Sequence, residues 1–451
     1  MKIHLFDHFT YKKLLRFTLP SIVMMIFTSI YGVVDGYFVS NYAGKIPFSA
    51  INIICPFLMI LGAFGFMIGA GGSALIAKTF GEGEKEKANR LFSMFIYITI
   101  AFSVIISILG FIFLRPIGAL LGAEGEMLDN AVVYGRILMI SLPFLMLQFE
   151  FQSFCVTAEK PNLGLIATLA AGFTNIILDA ILVISFPQEL KLIGAAIATA
   201  ASQIVGGLIP LVYFSLKKND SILRLGKFCF DGNALLRACT NGSSELLSNI
   251  SMSIVSMLYN FQLIKYAQLA GYAKEDGVSA YGVLMYINFV FISAFIGFSV
   301  GTAPIIGYNH GANNEKELKG VYRKSIVILL AFSAIMFTAS QLLAEPFSKF
   351  FVGYDERLLS LTLRGFRIFS FSFLFAGIAI FGSSFFTALN NGLISAVISS
   401  MRTLVFQVAT VMILPLIWDI DGIWFSIVAA EFMAVVATLY FLKKYKTKYK
   451  Y

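Results

Sequence analysis

The sequence predicts an all-α integral membrane protein that has twelve transmembrane helices arranged in two six-helix lobes. The composition is the first observation: 58% of the residues are hydrophobic and 13% are charged, whereas a soluble globular chain has about 25% charged residues. The second is a series of apolar runs of about 20 residues, a length that crosses a bilayer as a helix. The third is a repeat that relates the two halves of the chain.

Twelve apolar runs lie between short charged loops. Each run is continuously apolar rather than alternating, which favours helices over the strands of a membrane barrel. The predicted spans are 14–40, 46–78, 91–113, 127–153, 162–186, 192–216, 234–264, 278–308, 323–343, 357–388, 393–416 and 422–442. The first run contains Asp35 and lacks a small-residue cleavage pattern, so we expect a retained helix rather than a cleaved signal peptide.

The distribution of Lys and Arg predicts the orientation. Most of these residues fall in the terminal segments, which include Lys2, and in every second loop, which include Lys217. Cytoplasmic loops hold the excess of positive charge, so both termini are expected in the cytoplasm of a multi-pass plasma-membrane or inner-membrane protein. The net charge of +9 follows from this asymmetry and does not indicate nucleic-acid binding. We expect the basic C-terminal tail to lie against anionic lipid headgroups.

The two halves of the chain are copies of one unit. A shift of 230 residues places Pro116 on Pro346, and Gly135 on Gly365. We therefore predict an N-lobe at 1–218, a cytoplasmic linker at 219–230 and a C-lobe at 231–451, related by an axis along the membrane normal. Two matched lobes with an interface between them favour a carrier with alternating access over a pore.

Two acids lie in spans that are otherwise apolar. Asn175 and Asp179 share one face of the fifth span, one turn apart, and Asp35 is expected at a similar depth in the first. A charged acid at the bilayer centre costs about 2.5–3.5 kcal/mol and usually marks an ion or proton path. Asp35 at the outer helix end, or a neutral Asp179 bonded to Asn175, are the structural alternatives. Thr199 adds a hydroxyl from the sixth span, although such a residue more often bonds its own backbone.

The second half does not repeat this charge. The same shift places Lys265 and Ala409 where the first half has Asp35 and Asp179, so an acidic site would belong to the N-lobe alone. Further candidates for a substrate site or cavity are Glu245, Glu150, Gln148, Met139 and Arg402. Glu245 is somewhat better explained as a first-turn acid that complements the helix dipole, and Glu150 and Arg402 could instead pair with other charges.

The sequence predicts no enzyme. The GxxxxGK[ST] phosphate-binding pattern is absent, and the four cysteines have no metal or disulfide spacing. We therefore expect no catalytic residue and no bound cofactor.

Several motifs together resemble the multidrug and toxic compound extrusion (MATE) transporters of the DinF/MepA-like branch. They are Leu19-Pro20, Val34-Asp35, Asn175-Ile176-Ile177-Leu178-Asp179, Gly194-Ala195-Ala196-Ile197-Ala198-Thr199 and Pro304-Ile305-Ile306-Gly307-Tyr308-Asn309-His310-Gly311-Ala312. The resemblance covers essentially the whole chain. It implies a V-shaped, monomeric exporter that extrudes cationic amphipathic drugs by antiport with H⁺ or Na⁺ and contributes to antibiotic resistance.

The resemblance also implies a coupling site. It carries over to Asp35, Asn175, Asp179 and Thr199, which would bind the proton or, in a sodium-coupled transporter, the Na⁺ ion. The NorM-like branch adds acids in the seventh and tenth helices. The tenth span here lacks a deep acid, which leaves the role of Glu245 open.

A lipid-linked oligosaccharide flippase of similar two-lobe architecture is the alternative function. Such a protein would need cationic side chains that face the central cavity, and Arg136, Arg364, Arg367 and Arg402 are the candidates.

Overall fold

A computed structural model describes residues 3–39, 42, 45–216, 218–272, 274–353 and 355–451 of the chain. The predicted cytoplasmic charges Lys2 and Lys217, and the last residue of the first predicted span, Ser40, lie outside the described residues. Within those residues the fold is helical and contains no β-strand. This confirms the predicted fold class.

The helices of the first half begin and end close to the predicted spans. They are α1 Tyr11–Phe38, α2 Lys45–Gly81, α3 Lys85–Leu120, α4 Gly125–Thr157, α5 Pro161–Leu178 and α6 Lys191–Ser215. A π-helical turn, Asp179–Val183, continues α5, and a 3-10 turn, Gln188–Leu190, precedes α6. The helices extend beyond the apolar runs because their first and last turns reach into the interfacial region on each side.

The second half contains two interrupted spans. Its helices are α7 Gly232–Leu269, α8 Lys274–Gly311, α9 Glu315–Val352, α10 Glu356–Phe369, α11 Phe373–Ala388, α12 Gly392–Ser400, α13 Phe406–Ile413 and α14 Pro415–Tyr449. A 3-10 turn, Ser370–Ser372, joins α10 to α11, and a π-helical turn, Met401–Val405, joins α12 to α13. Each of these pairs makes one crossing.

The seventh crossing is more polar than the sequence pattern predicted. Eleven stretches of the described residues are long and apolar enough to cross a membrane, and α7 is not among them. With 38 residues it is long enough, at about 1.5 Å per residue. Its buried side chains include Asn241, Ser244, Ser251 and Gln262. The expectation that every span is continuously apolar is therefore wrong for α7, because its buried face packs against protein rather than lipid.

The helices pack into two groups. In the N-lobe, α4 lies at the centre and contacts α2, α3 and α6, while α1 packs on α5. In the C-lobe, α11 contacts α8, α9, α12 and α14. The groups meet where α2 contacts α7 and α8, and where α1 contacts α8.

Both chain ends lie on one side of the bundle, which we call the terminal face. Lys450 lies 2.6 Å from Glu315 at the start of α9, and the N-terminal residues contact the same turn. The lobes touch closely near this face. A Cβ atom on Gly71 of α2 would lie 1.9 Å from the carbonyl oxygen of Ala238, and one on Gly311 would lie 2.1 Å from that of Lys78. Only glycine permits these backbone contacts between helices.

Residues 3–10, the N-terminal strap, bond to both lobes. Nδ1 of His4 lies 2.7 Å from one carboxylate oxygen of Glu159, and the amide of Leu5 donates to the other at 2.7 Å. Nδ1 of His8 and the amide of Phe9 contact Glu317 in the same way, at 2.7 and 2.8 Å. Glu159 lies between α4 and α5, whereas Glu317 lies in the first turn of α9. The strap therefore has one anchor in each lobe.

Candidate functional site

Three helices of the N-lobe bring polar groups together around Asp35. Nδ2 of Asn175 on α5 donates to Oδ1 of Asp35 at 3.4 Å. The Thr199 hydroxyl on α6 lies 3.3 Å from the same oxygen and 3.0 Å from the backbone carbonyl of Ala195. A hydroxyl has one proton to donate, so these two acceptors compete for it. Both contacts with Asp35 exceed the usual donor–acceptor distances, which are about 2.7–3.2 Å for an N–H donor and about 2.5–3.0 Å for an O–H donor. These hydrogen bonds therefore hold the Asp35 carboxyl group only weakly.

Asp179 lies directly behind Asp35. It is the first residue of the π-helical turn that follows α5, and π-bulges often occur at functional sites because they redirect side chains. Asp179 is fully buried, whereas Asp35 is half-buried. Asp35 is the charged neighbour of the Asp179 carboxyl group. The structure thus brings together all four residues of the predicted coupling site.

The site has more acceptors than donors. Neither carboxylate oxygen of Asp179 has a donor among the described residues, and neither does the side-chain oxygen of Asn175. Two adjacent carboxylates cannot both stay ionised without a cation between them. A proton would convert one acid into a donor, and carboxylate, amide and hydroxyl oxygens also suit a hard cation such as Na⁺. The residues present therefore fit either coupling ion.

The sequence pattern did not identify Tyr134 and Ser141, which α4 contributes beside Gln148. Tyr134 lies close to Thr199, and Gln148 lies close to Tyr31, which is near Asp35. Ser141, between them on α4, donates to the side chain of Gln203 at 2.6 Å. Tyr134, Ser141 and Gln148 are spaced seven residues apart, which places them on one helix face. This seven-residue spacing of polar side chains is the signal in the sequence that could have identified the contribution of α4.

Of the three predicted substrate or cavity residues on α4, Gln148 lies near the candidate coupling site, whereas Glu150 and Met139 lie elsewhere on the helix. Glu150 is two residues from Gln148, which turns it to the opposite side of α4, where it lies near Thr99. Both of its carboxylate oxygens are buried without a partner among the described residues. Met139 is buried, and its sulfur packs against Gly110 of α3. It contributes to the α3–α4 contact and lines an apolar cavity of about 330 Å³ between these helices, so its predicted place in a substrate cavity stays a prediction.

The C-lobe contains a separate charged cluster. Arg402 contacts both carboxylate oxygens of Glu431, with Nε and one terminal nitrogen each at 2.9 Å. It is also the positively charged neighbour of the Glu245 carboxyl group. Arg402 lies on the π-helical turn Met401–Val405, so each lobe places an ionisable side chain on such a turn. Glu245 is not in the first turn of α7. The helix begins 13 residues earlier, at Gly232, with Asp231 as the N-cap, so capping does not explain this acid.

The remaining arginines do not converge on one cavity. Arg136 stacks over the Phe111 ring, with 5.1 Å from Cζ to the ring centroid. Arg364 pairs with Asp421, and Arg367 is exposed near the Glu345 carboxylate. With Arg402 bonded to Glu431, these residues do not form the cationic cavity that a diphosphate would need.

The chain is similar to known transporters along nearly its whole length. It is 26% identical to the multidrug export protein MepA of Staphylococcus haemolyticus, over 93% of this chain and 90% of that protein. It is 25% identical to MepA of Staphylococcus aureus, over 95% and 92%.

Solved structures share the fold. An outward-facing multidrug resistance MATE family transporter of the MOP superfamily matches with a TM-score of 0.90 and 22% identity, over 98% of this chain and 97% of that one. A MOP superfamily transporter from Pyrococcus furiosus matches with a TM-score of 0.87 and 22% identity, over 98% of each chain. The family model for MatE matches residues 20–181 and 243–413. The chain therefore belongs to the MatE family of multi-pass membrane proteins.

Proposed function

We propose that this protein is a multidrug exporter that extrudes cationic amphipathic compounds by antiport with H⁺ or Na⁺. The observation that carries this proposal is the pair of acids in the N-lobe: a half-buried Asp35 in front of a fully buried Asp179 whose oxygens lack donors. The names of the similar MepA proteins support multidrug export. The protein acts as a carrier rather than as an enzyme, and a monomer contains the whole acidic site.

In this mechanism the substrate and the ion compete for one negative site. Asp35 is partly exposed, so it attracts the cationic group of a substrate. An ion that enters from the opposite side neutralises Asp35 and Asp179. Asn175 and Thr199 then turn their oxygens or donors toward the bound ion, and the site no longer attracts the substrate.

The arrangement of the lobes supports alternating access. They touch near the terminal face, through the glycine contacts of α2 with α7 and α8, whereas Asp35 lies about 36 Å along α1 from that face at 1.5 Å per residue. With both termini in the cytoplasm, these contacts close the terminal face to the cytoplasm. Substrate loading requires the terminal face to open.

The energy source is the ion gradient. Each elementary charge that crosses 100 mV supplies about 2.3 kcal/mol. Exchange of one proton for one monovalent cation moves no net charge, so a pH or sodium gradient rather than the membrane potential would drive it.

The test is efflux of a fluorescent organic cation from proteoliposomes under an imposed pH gradient and, separately, a sodium gradient. We expect Asp179→Asn to reduce gradient-driven efflux to the rate without a gradient. The matched control is Asp129→Asn, which removes an exposed carboxylate paired with Arg115 outside the site. Wild-type rates in the Asp179 variant would refute the coupling role of this acid.

The same preparation separates the alternatives. Translocation of a lipid-linked oligosaccharide without cation efflux would establish the flippase. Conductance that is independent of either gradient would establish a pore. The gradient that supports efflux by the wild-type protein identifies the coupling ion.

A further inference from the structure

The segment between the lobes follows a polar stripe on α3. Asn89, Ser93 and Tyr97 are spaced four residues apart and therefore lie on one face of this helix. The Arg224 amide donates to the Asn89 side chain at 2.7 Å, and the Gly226 amide donates to the Ser93 hydroxyl at 2.8 Å. The Tyr97 hydroxyl donates to the Gly226 carbonyl at 3.3 Å. Residues 218–231, the linker strap, are thus docked on the N-lobe and do not form a free tether.

These bonds pair backbone N–H and C=O groups of the linker strap in a region where lipid tails offer no hydrogen-bonding partner. An unsatisfied N–H or C=O in the hydrocarbon region costs several kcal/mol. The end of α6 contributes as well, because the Leu225 amide donates to the carbonyl of Phe214 at 3.1 Å. The polar stripe on α3 therefore allows a non-helical chain to lie at membrane depth.

The linker strap rises along α3 and then returns. Arg224 bonds at the level of Asn89, the Phe228 ring lies 6.2 Å from the Tyr97 ring, and the Asp231 amide bonds at the level of Met94. Tyr97 is twelve residues after the start of α3, about 18 Å along the helix axis. The tip of the strap, around Phe228, is therefore level with the apolar part of α3.

One side of the linker strap faces the protein and the other is exposed. Ser221 and Leu223 are buried, whereas Phe228 is 54% exposed and Phe230 is 64% exposed. Arg224 and Lys227 are also exposed, and neither has a carboxylate partner in the described part of the chain. Aromatic residues at the tip and cations beside them are typical of segments that lie in a membrane interface.

We propose that the linker strap is an interfacial anchor: Phe228 and Phe230 insert into the leaflet on the side of the terminal face, and Arg224 and Lys227 bind headgroups of anionic phospholipids. Phosphate is the complementary group, because an anionic membrane surface attracts basic residues that lie close to it. This proposal does not depend on the transported substrate or the coupling ion.

The native thiol between the two aromatic residues allows a direct test. Cys229 is exposed, and replacement of Cys55, Cys155 and Cys239 with Ala leaves it as the single site for a nitroxide label. In proteoliposomes that contain phosphatidylglycerol, electron paramagnetic resonance gives the accessibility of this label to oxygen, which partitions into lipid, and to a water-soluble nickel chelate. Labels at Phe113→Cys, on the exposed apolar face of α3, and at Lys319→Cys, in the exposed first turn of α9, give the lipid and water references.

We expect the Cys229 label to be accessible to oxygen like the Phe113→Cys reference, and to be protected from nickel more strongly as the phosphatidylglycerol fraction rises. Arg224→Gln with Lys227→Gln should abolish that dependence on anionic lipid. Accessibility like that of the Lys319→Cys reference overturns the proposal. The headgroup site is overturned if the Cys229 label is immersed to the same extent in phosphatidylcholine alone, and to the same extent with and without the two glutamine substitutions. Neither readout requires transport, so the result is independent of the efflux assay.

Discussion

At the residue scale, the candidate site is a cluster of acceptors that is short of positive charge. Asp35 has two long hydrogen bonds, and Asp179 has none among the described residues. Thr199 is the residue whose single proton is divided between Asp35 and its own helix. If a cation binds, the oxygen of this hydroxyl can act as a ligand. If a proton binds to Asp35 instead, the carboxyl group no longer requires a hydrogen bond from Thr199.

Thr199→Ala should therefore change the affinity of the site for the ion without abolishing coupling. A hydrogen bond of this kind contributes about 0.5–1.5 kcal/mol, a factor of roughly 2–12 in affinity. If Na⁺ is the coupling ion, loss of the oxygen ligand should raise the sodium concentration for half-maximal efflux by that factor. If H⁺ is the coupling ion, loss of a donor to the Asp35 carboxylate favours its protonated form, so the half-maximal proton concentration should fall. Thr199→Ser keeps the hydroxyl and should restore the wild-type value. The measurement is the efflux rate as a function of external pH or sodium. An unchanged half-maximal concentration in the alanine variant would remove Thr199 from the site.

The C-lobe pair gives a stability prediction. Glu431→Ala leaves Arg402 without its bidentate partner, and breaking a buried ion pair costs about 3–5 kcal/mol. We expect the lower end, because Arg402 keeps 17% of its side chain exposed. Asp421→Ala, which breaks the pair with the 66% exposed Arg364, should cost under about 1 kcal/mol. Thermal unfolding in detergent compares the two, and equal losses would contradict the burial argument.

The sequence predicted the four coupling residues because each is a polar residue in an apolar run. This criterion did not select Tyr134, because tyrosine is common in apolar runs. It is recognised only when its hydroxyl is placed beside Thr199 on another helix. The role assigned to Glu245 at a helix start was wrong for a related reason: α7 begins well before its apolar part, and apolarity was the only boundary signal.

At the element scale, two π-helical turns are the feature that periodicity could not show. Asp179 begins one and Arg402 lies in the other, and both interrupt spans that the sequence reads as regular helices. An extra residue in one turn shifts the following side chains around the axis. The helix-based prediction of a shared face for Asn175 and Asp179 holds because both precede the displaced residues.

The contact of α2 with α7 predicts how the lobes separate. Gly71→Ala would place a methyl group 1.9 Å from the Ala238 carbonyl oxygen, so the two helices must move apart near the terminal face. We expect the adjacent half-buried thiol of Cys239 to react faster with a water-soluble maleimide, in a background where Cys229 is replaced by Ser. Gly282→Ala is the matched control, because its methyl group would meet no atom within 4 Å. Unchanged reactivity in Gly71→Ala would show that the contact tolerates the methyl group.

At the scale of the whole molecule, the twelve crossings and the two-lobe arrangement followed from hydropathy and the internal repeat. The predicted domain boundaries and the cytoplasmic orientation remain predictions. The sequence did not predict where the segments outside the spans bind to the rest of the protein. The N-terminal strap and the linker strap have no hydrophobic period, and their positions depend on single side chains such as Glu159, Glu317 and Asn89 on distant parts of the chain.

The two anchors of the N-terminal strap should act independently. Glu159→Ala removes the acceptor of the Leu5 amide, and Glu317→Ala removes that of the Phe9 amide. We expect each change to accelerate hydrogen exchange at its own amide and to cost about 1–3 kcal/mol of local stability. Glu86→Ala, at a 92% exposed position, is the control. Exchange that rises equally at both amides in either variant would show instead that the strap is released as one unit.

The N-terminal strap also sets a tether length. Phe9 follows Leu5 by four residues, and an extended chain spans at most about 3.3–3.6 Å per residue, so the two anchored amides can be no more than about 14 Å apart. While both glutamates hold their amides, the end of α4 and the start of α9 cannot separate beyond that distance plus the lengths of the two glutamate side chains. Any wider opening of the terminal face must therefore begin with the loss of one anchor, and the weaker anchor decides which lobe keeps the strap.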